Sequence, residues 1–208
     1  MTSSRTVLVP PERVARWFEN FESRHGAAEV TLRQGALHAS AADGSQADSA
    51  LPFGRQYDGS PDVPAFAEVA DEPIDWGILL VRKGGFAIAR LAAERTVESK
   101  VGQRHVQGRT KAGGQSQQRF ARRRDNQARA AFEAAAGHAH RILTGSLEAL
   151  VCGGDRTAVE QVLEDPRLRH LAGLRVDPWL AVPDPRRATL EQAVVDGGSV
   201  AVTVTDPG

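Results

Sequence analysis

Two adjacent glycines followed at once by a glutamine form the stretch of this chain best suited to chemistry. They are Gly113, Gly114 and Gln115. Glycine reaches backbone angles closed to other residues, and it lets another molecule's backbone approach closely. The glutamine offers an amide oxygen, an amide NH2 and its own backbone N–H, and its side chain takes no proton at neutral pH. Such a group can orient a water molecule and donate a hydrogen bond to a developing oxyanion.

Basic residues flank this motif on both sides. From residue 104 to residue 129 the only acidic residue is Asp125, although the whole chain is formally neutral. The basic residues of this window are Arg104, Arg109, Lys111, Arg119, Arg122, Arg123, Arg124 and Arg129. A patch of this kind neutralises phosphates, and it gives sequence-independent affinity for nucleic acid that falls steeply with salt. The alternative interpretation is a plain Gly-Gly loop before a helix capped by Ser116.

Residues 113–124 carry a resemblance to a known family. They read Gly-Gly-Gln-Ser-Gln-Gln-Arg-Phe-Ala-Arg-Arg-Arg. This stretch closely resembles the Gly-Gly-Gln loop and following helix of the eukaryotic and archaeal class-I peptide-release factors. Residues 76–90, Trp-Gly-Ile-Leu-Leu-Val-Arg-Lys-Gly-Gly-Phe-Ala-Ile-Ala-Arg, look like the central hairpin of the same catalytic domain. Without a codon-reading domain, the chain looks most like the stand-alone, Vms-like branch in its actinobacterial form.

The resemblance implies a peptidyl-tRNA hydrolase that acts on stalled ribosomal large subunits, with peptidyl-tRNA and 23S rRNA as partners and no cofactor. It implies that Gln115 enters the peptidyl-transferase centre and that Gly113 and Gly114 allow the backbone to fit there. The Vms-like branch is described by Gly-x-x-Gln, which Gly114 to Gln117 also fits, so Gln117 is the alternative catalyst. The residues implied to hold RNA phosphates are Arg109, Lys111, Arg119, Arg122, Arg123 and Arg124.

Three other functions stay open at this stage. An RNA- or ribosome-binding module would use the arginine-rich segment without catalysis. A metal-dependent nuclease would need clustered carboxylates, and Asp71, Glu72 and Asp75 are the candidates, although their position before a strand favours a solvated loop. A small-molecule enzyme would need a nucleophile, and the lone Cys152 ends an apolar strand, where a packing role is favoured.

Composition bounds the class of protein. The single cysteine excludes an internal disulfide, and no Cys/His group has the spacing of zinc ligands, so no metal site is predicted. No run of residues has the pattern of a signal peptide or a membrane-spanning helix. We therefore expect a cytoplasmic protein without a membrane association, acting as a monomer.

The first part of the chain, residues 1–70, is predicted to be a helix and hairpin extension that ends in a flexible loop. A strand over Thr6–Val9 precedes a helix that starts at Pro10-Pro11 and ends near Gly26. Alternation over 28–32 and 36–39 around Gln34-Gly35 predicts a hairpin. Residues 41–64 have little to bury and are predicted to be a long loop or a partly disordered segment at a domain boundary.

The second part, residues 71–208, is predicted to be a release-factor-like catalytic domain of α/β class, a mixed β-sheet flanked by helices. Strands are expected over 76–81, 86–91, 96–106, 147–152, 174–182 and 200–204. Asp155 is predicted to cap a helix that ends at Leu163, and residues 188–195 to form a short helix.

A long arginine-rich helix is predicted directly after the Gly-Gly-Gln loop, over 116–143. Its second half carries Ala128, Phe132, Ala135, Ala139 and Ile142 at helical spacing, a stripe suited to packing on a sheet. Its first half has no such stripe and is rich in arginine. We therefore expect the first turns to project beyond the sheet towards solvent or a partner.

Overall fold

The computed structural model describes residues 3–93, 95–103 and 115–207, and over residues 115–128 the description is of the backbone alone. The described chain forms two compact units. Unit 1 comprises Met1–Pro73 and Val194–Gly208, and unit 2 comprises Ile74–Ala193. The sequence predicted a division at about residue 70, with everything after it in the second domain. The structure differs at the far end, where the last segment of the chain belongs to unit 1.

Unit 1 is built on a five-stranded antiparallel sheet. Its strands are β1 (Ser3–Val9), β2 (Ala28–Arg33), β3 (Ala36–Ala41), β4 (Gln46–Ala50) and β10 (Val200–Asp206), the last strand of the chain. Their order across the sheet is β1-β10-β4-β3-β2. The predicted hairpin is confirmed as β2 and β3, because Gln34 and Gly35 both have positive φ (50° and 72°), as a tight two-residue turn requires.

Two helices cover one face of this sheet. A short 3-10 turn over Pro11–Arg13 leads into α1 (Val14–His25), which ends at Gly26 as predicted, and α2 spans Val63–Ala70. The Asp62 carboxylate accepts the backbone N–H of Ala65 and so caps α2. The core between helices and sheet includes Phe18, Phe66 and the alternating valines of β10. Alternation over Val200, Val202 and Val204 places these three side chains on the covered face.

Unit 2 contains a mixed five-stranded sheet. Its strands are β5 (Asp75–Arg82), β6 (Gly85–Ala92), β7 (Arg95–Gln103), β8 (Ala149–Gly154) and β9 (Arg175–Leu180). Their order is β7-β6-β5-β8-β9, antiparallel from β7 to β5 and parallel from β5 to β9. The central β5 is buried along most of its length, as its continuous apolar sequence predicted. The mixed sheet flanked by helices confirms the predicted fold class.

Three helices belong wholly or partly to unit 2. They are α3 (Gln115–Ile142), α4 (Arg156–Leu163) and α5 (Arg187–Gly197), and a 3-10 segment spans Pro166–Leu174. The Asp155 carboxylate accepts the backbone N–H of Ala158, which confirms this residue as the cap of α4. Ala135, Ala139 and Ile142 are buried in the core of the unit, so the second half of α3 packs as predicted.

Two local predictions were wrong. Residues 41–64 are not one long loop, since they contain β4, a 3-10 turn over Pro52–Gly54 and the start of α2. Leu51 and Tyr57 are buried there, and the small residues of β4 are held by pairing on both sides with β3 and β10. Ser116 is not a helix cap either, because α3 already includes Gln115.

Gly102 in β7 lies against the ring of Phe86, and a methyl group added there would come 2.4 Å from the ring carbon Cζ. We expect Gly102→Ala to lower the free energy of unfolding by about 1–3 kcal/mol, because a packed ring must move. Gly137→Ala is the matched control, since no described atom lies within 4 Å of its added methyl. That variant should gain about 0.5–1 kcal/mol. Urea unfolding measures both, and equal effects of the two substitutions would contradict this packing.

Cys152 lies in β8 within the core of unit 2. Burial raises the pKa of its thiol from 9.0 to about 12, against a smaller opposing effect of Arg175. The unfolded chain loses this proton near its ordinary pKa while the folded chain keeps it. The free energy of unfolding should therefore fall as the pH rises from 9 towards 12. Urea unfolding of wild type and Cys152→Ala at several alkaline pH values tests this, and identical pH dependence in both proteins would contradict it.

Candidate functional site

The segment that carries the Gly-Gly-Gln motif joins an edge strand to a long helix. The described part of β7 ends at Gln103, and α3 begins at Gln115. Four residues implied in the site, Arg109, Lys111, Gly113 and Gly114, lie outside the described residues. Gln115 is the first residue of the described helix, at the end where the first N–H groups of a helix lack internal partners. That end also carries partial positive charge, which favours a nearby anion.

The two candidate glutamines occupy different sides of α3. At about 3.6 residues per turn, positions eighteen apart in a straight helix lie on the same line along its axis. Position 115 therefore shares a line with Glu133, which is exposed. Position 117 shares a line with Ala135, which is fully buried in the core. The backbone thus separates Gln115 from Gln117 by nearly half a turn.

The same eighteen-residue relation gives the side of α3 on which each arginine implied in RNA binding lies. Positions 119, 122 and 123 share lines with Gly137, His140 and Arg141, none of which is buried. Position 124 instead shares a line with Ile142, which is 1% exposed and packs in the core. Arg119, Arg122 and Arg123 therefore occupy the same side of the helix backbone as Gln115, and Arg124 does not.

Contacts of α3 with β7 and with the neighbouring strand β6 hold the two elements that flank the motif. The Arg141 guanidinium donates to the Glu98 carboxylate across them. The rings of Phe86 and His138 lie 5.5 Å apart. Burial lowers the pKa of His138, and the nearby charges of Lys100 and Arg141 lower it further. His138 is therefore neutral near pH 7, so it packs against Phe86 without adding a charge.

These supporting residues were not singled out from the sequence. Gly102, Phe86 and His138 come from a strand, its neighbour in the sheet and a helix far along the chain, so no local pattern joins them. Sequence reasoning did identify the buried stripe of α3 that carries the helix on the sheet.

Charge is divided unequally between the two units. Unit 1 contains 6 Arg and no Lys against 13 Asp and Glu, whereas unit 2 contains 20 Arg and Lys against 13 Asp and Glu. The formally neutral chain thus combines an acidic unit with a basic one. The Gly-Gly-Gln motif and all the arginines of the candidate RNA patch belong to the basic unit.

The carboxylates considered for a metal site do not converge. Asp71 and Glu72 are exposed beyond the end of α2, and Asp75 begins β5 with its carboxylate 3.5 Å from the Arg90 guanidinium. Within residues 3–93, 95–103 and 115–207, no three His, Cys, Asp or Glu side chains lie close enough together to hold a metal ion. The described part of the chain therefore offers no support for the nuclease hypothesis.

The Gly153-Gly154 segment forms a strand-to-helix turn. Its two glycines are the last residues of β8, and the Trp179 indole N–H donates to the carbonyl of Gly154. The Asp155 carboxylate caps α4 by accepting the backbone N–H of Ala158. Beside this turn, a groove of about 770 Å³ runs between α3 and α4, lined by charges of both signs, including Lys83, Arg129, Glu133 and Glu164. Mixed charge of this kind favours no single class of ligand.

None of the helices in the described ranges combines the length and apolar character needed to cross a lipid bilayer.

Comparison with known proteins identifies the family. The model of the Actinobacteria/chloroflexi VLRF1 release factor family matches residues 74–203, a span that starts with unit 2 and includes the motif and α3. Among curated proteins no match was found. One similar solved structure is Pelota of Archaeoglobus fulgidus, at 9% identity and a TM-score of 0.27. The alignment covers 93% of this chain, which spans 62% of that Pelota chain. The family match covers more than half of the sequence and confirms the suspected resemblance, so the chain belongs to the Actinobacteria/chloroflexi VLRF1 release factor family.

Proposed function

We propose that this chain is a peptidyl-tRNA hydrolase that releases nascent peptides from stalled ribosomes or large subunits. The observation that carries the proposal is the family match over residues 74–203, because it spans the Gly-Gly-Gln motif and the helix that begins at Gln115. Membership of a release-factor family supports a role in translation, and the basic character of unit 2 supports an RNA partner. The proposed partners are the ribosomal large subunit, its 23S rRNA and peptidyl-tRNA.

The proposed reaction is hydrolysis of the ester between the nascent peptide and the terminal ribose of tRNA. Water attacks the ester carbonyl carbon, and the bond from that carbon to the ribose oxygen breaks. The water supplies the proton taken up by the ribose oxygen, so the products are a peptide acid and a tRNA hydroxyl. Positioning the water and stabilising the tetrahedral oxyanion are enough to accelerate such a reaction.

Gln115 is the proposed catalytic residue. Its backbone N–H would face the oxyanion, while its neutral side chain orients water and excludes competing groups. Gly113 and Gly114 would let the backbone fit in the peptidyl-transferase centre. Gln115 shares a side of α3 with Arg119, Arg122 and Arg123, whereas Gln117 lies on the line of the buried Ala135. This helical position favours Gln115 over Gln117.

The basic residues would hold RNA phosphates around the motif. On this proposal Arg119, Arg122 and Arg123 contact RNA from the side of the helix that carries Gln115, and Arg109 and Lys111 contact it from the preceding segment. Arg124 occupies the line of the buried Ile142, so it is the weakest candidate of the group. A cationic surface of this kind would position the helix without reading a sequence.

Substitution of the two glutamines tests the catalytic assignment. Gln115→Ala should lower the rate of peptide release from stalled complexes by about 100-fold or more, because the side-chain amide that orients the water is lost while the backbone N–H remains. Gln117→Ala is the matched control and should keep near wild-type activity. Release is measured by loss of peptidyl-tRNA on a gel, and binding by cosedimentation with large subunits.

Binding should persist in both glutamine variants. Full release by Gln115→Ala together with loss in Gln117→Ala would move the catalytic residue two positions along the chain. Binding without release by the wild type, unchanged in both variants, would instead identify a non-catalytic ribosome-binding module.

Substitution of an arginine tests the proposed RNA contact. Arg122→Ala should weaken binding to large subunits and reduce the slope of log affinity against log salt by about 0.7–0.9, the value for one lost phosphate contact. Arg33→Ala removes the same charge from exposed strand β2 of unit 1 and should change neither quantity. Filter binding over a series of salt concentrations measures both. Equal salt slopes for Arg122→Ala and wild type would contradict the contact.

A further inference from the structure

Unit 1 contains a strand with an open edge. β1 is the first strand of its sheet, and β10 is the one strand that pairs with it within the described residues. Residues 3–6 are exposed, so no described part of the chain covers this end of the strand. An edge strand presents unpaired backbone N–H and C=O groups, to which a further extended segment can bind. β1 has no proline or bulge that would block such pairing.

A groove runs beside this edge, between β1 and α1. Its volume is about 380 Å³. The apolar part is formed by Val7 and Val204 of the sheet and by Trp17 and Phe21 of the helix. Antiparallel register pairs Arg5 with Val204, so Arg5 and Val7 belong to the face of the sheet that α1 covers. The helix leaves part of that face open next to the strand edge.

Trp17 is the main aromatic surface of the groove. The neighbouring rings of Phe18 and Phe21 belong to the core of unit 1 and are each 4% exposed. Trp17 is only partly buried. Its ring stacks on Phe21 at 5.5 Å and an interplanar angle of 13°, and its indole N–H has no acceptor among the described residues. The Phe18 ring makes a second, T-shaped contact with Trp17 at 5.2 Å. A partly buried indole with an unused donor is suited to a binding surface.

The polar groups of the groove are cationic or neutral. The Arg24 guanidinium and the Asn20 amide have no hydrogen-bond or ion-pair partner among the described residues. Arg5 is 59% exposed and forms an ion pair with Asp206, whose carboxylate oxygen lies 3.6 Å from its guanidinium. The imidazole of His25 is already held by Asp43 at 2.9 Å. No carboxylate lines the groove, although the unit as a whole is acidic.

We propose that this groove binds an extended segment of a partner protein that pairs with β1 as an additional strand. Main-chain hydrogen bonds to β1 would provide the register of the segment. A large apolar side chain would enter the groove against Trp17 and Phe21, and a carboxylate would bind Arg24, next to the ion pair of Arg5 with Asp206. Side chains on one face of a strand are two residues apart, so the segment would carry the apolar and acidic residues at that spacing.

Two other occupants are disfavoured. A nucleic acid strand carries many phosphates, and the 13 carboxylates of this unit outnumber its 6 arginines. A single carboxylate of a peptide is attracted mainly by arginines that lie within about a Debye length of it, roughly 8 Å, because salt screens the more distant charges. A second copy of the chain paired through β1 would add a second Arg24 and no carboxylate for the first, since no carboxylate lines the groove. The proposal is independent of peptidyl-tRNA hydrolysis, since β1 and α1 lie outside the family match.

A library of random peptides of about ten residues, displayed on phage and selected on the full chain, tests the proposal. Selected sequences should share a large apolar residue two positions from Asp or Glu. A synthetic peptide of the selected sequence should lose at least about tenfold in affinity for Arg24→Glu and for Trp17→Ala. Arg16→Glu reverses a charge of the same helix outside the groove and is the matched control, so its affinity should stay near wild type.

Folding and pairing are measured on the same samples. Circular dichroism checks each variant, and the exposed Arg24→Glu keeps the test valid where Trp17→Ala is destabilised. The bound peptide should slow hydrogen exchange of the amides of β1, with no comparable change in β2 at the opposite edge of the sheet.

Four results would overturn the proposal. The first is the absence of selected peptides, and the second is a peptide whose affinity is unchanged by Arg24→Glu. The third is binding of an oligouridylate RNA in place of the peptide, with the same dependence on Arg24. The fourth is a dimer in light scattering that Trp17→Ala converts to a monomer.

Discussion

Packing of one half of α3 on the sheet of unit 2 is the constraint on which the rest of the structure depends. Ala135, Ala139 and Ile142 are buried against a core that includes Phe86 and Ile88 of β6. Small alanine side chains let the helix axis lie close to the sheet. Because α3 is one continuous helix, the packing of its second half also sets the direction of its first half. The 28 residues of α3 span about 42 Å. Gln115 therefore lies about 24 Å along the axis from Ala131, the first residue of the helix described as buried.

The two units carry opposite net charge. The basic unit carries the motif and the arginines, and the acidic unit carries the β1 groove. A polyanion attracts the first and repels the second, which would favour approach of the helix end of unit 2 to RNA. The proposed peptide groove provides the acidic unit with a partner of its own.

Much of the fold could be predicted from local sequence patterns. The stripe from Phe132 to Ile142, the Gln34-Gly35 turn and the Asp155 cap each depend on neighbouring residues, so each was visible in the sequence. The pairing of β10 with β1 and β4 was not, because the alternation of its valines predicts a strand without naming its partners. β4 was missed for a related reason, since its small and polar residues have little strand preference and depend on strands at both sides. For the site, sequence identified the motif, whereas the contacts of Gly102, Phe86 and His138 required the tertiary structure.

On the proposed function, a helix anchored on the sheet delivers Gln115 to an ester within the large subunit. Electron cryomicroscopy of the chain on large subunits that hold a non-hydrolysable, amide-linked peptidyl-tRNA tests it most directly. The account predicts Gln115 within hydrogen-bond distance of the peptidyl carbonyl or joined to it through one water, at about 3 Å per contact, with the second half of α3 still packed on the sheet. A bound chain whose Gln115 lies far from the tRNA terminus, on a surface that faces solvent, would contradict it.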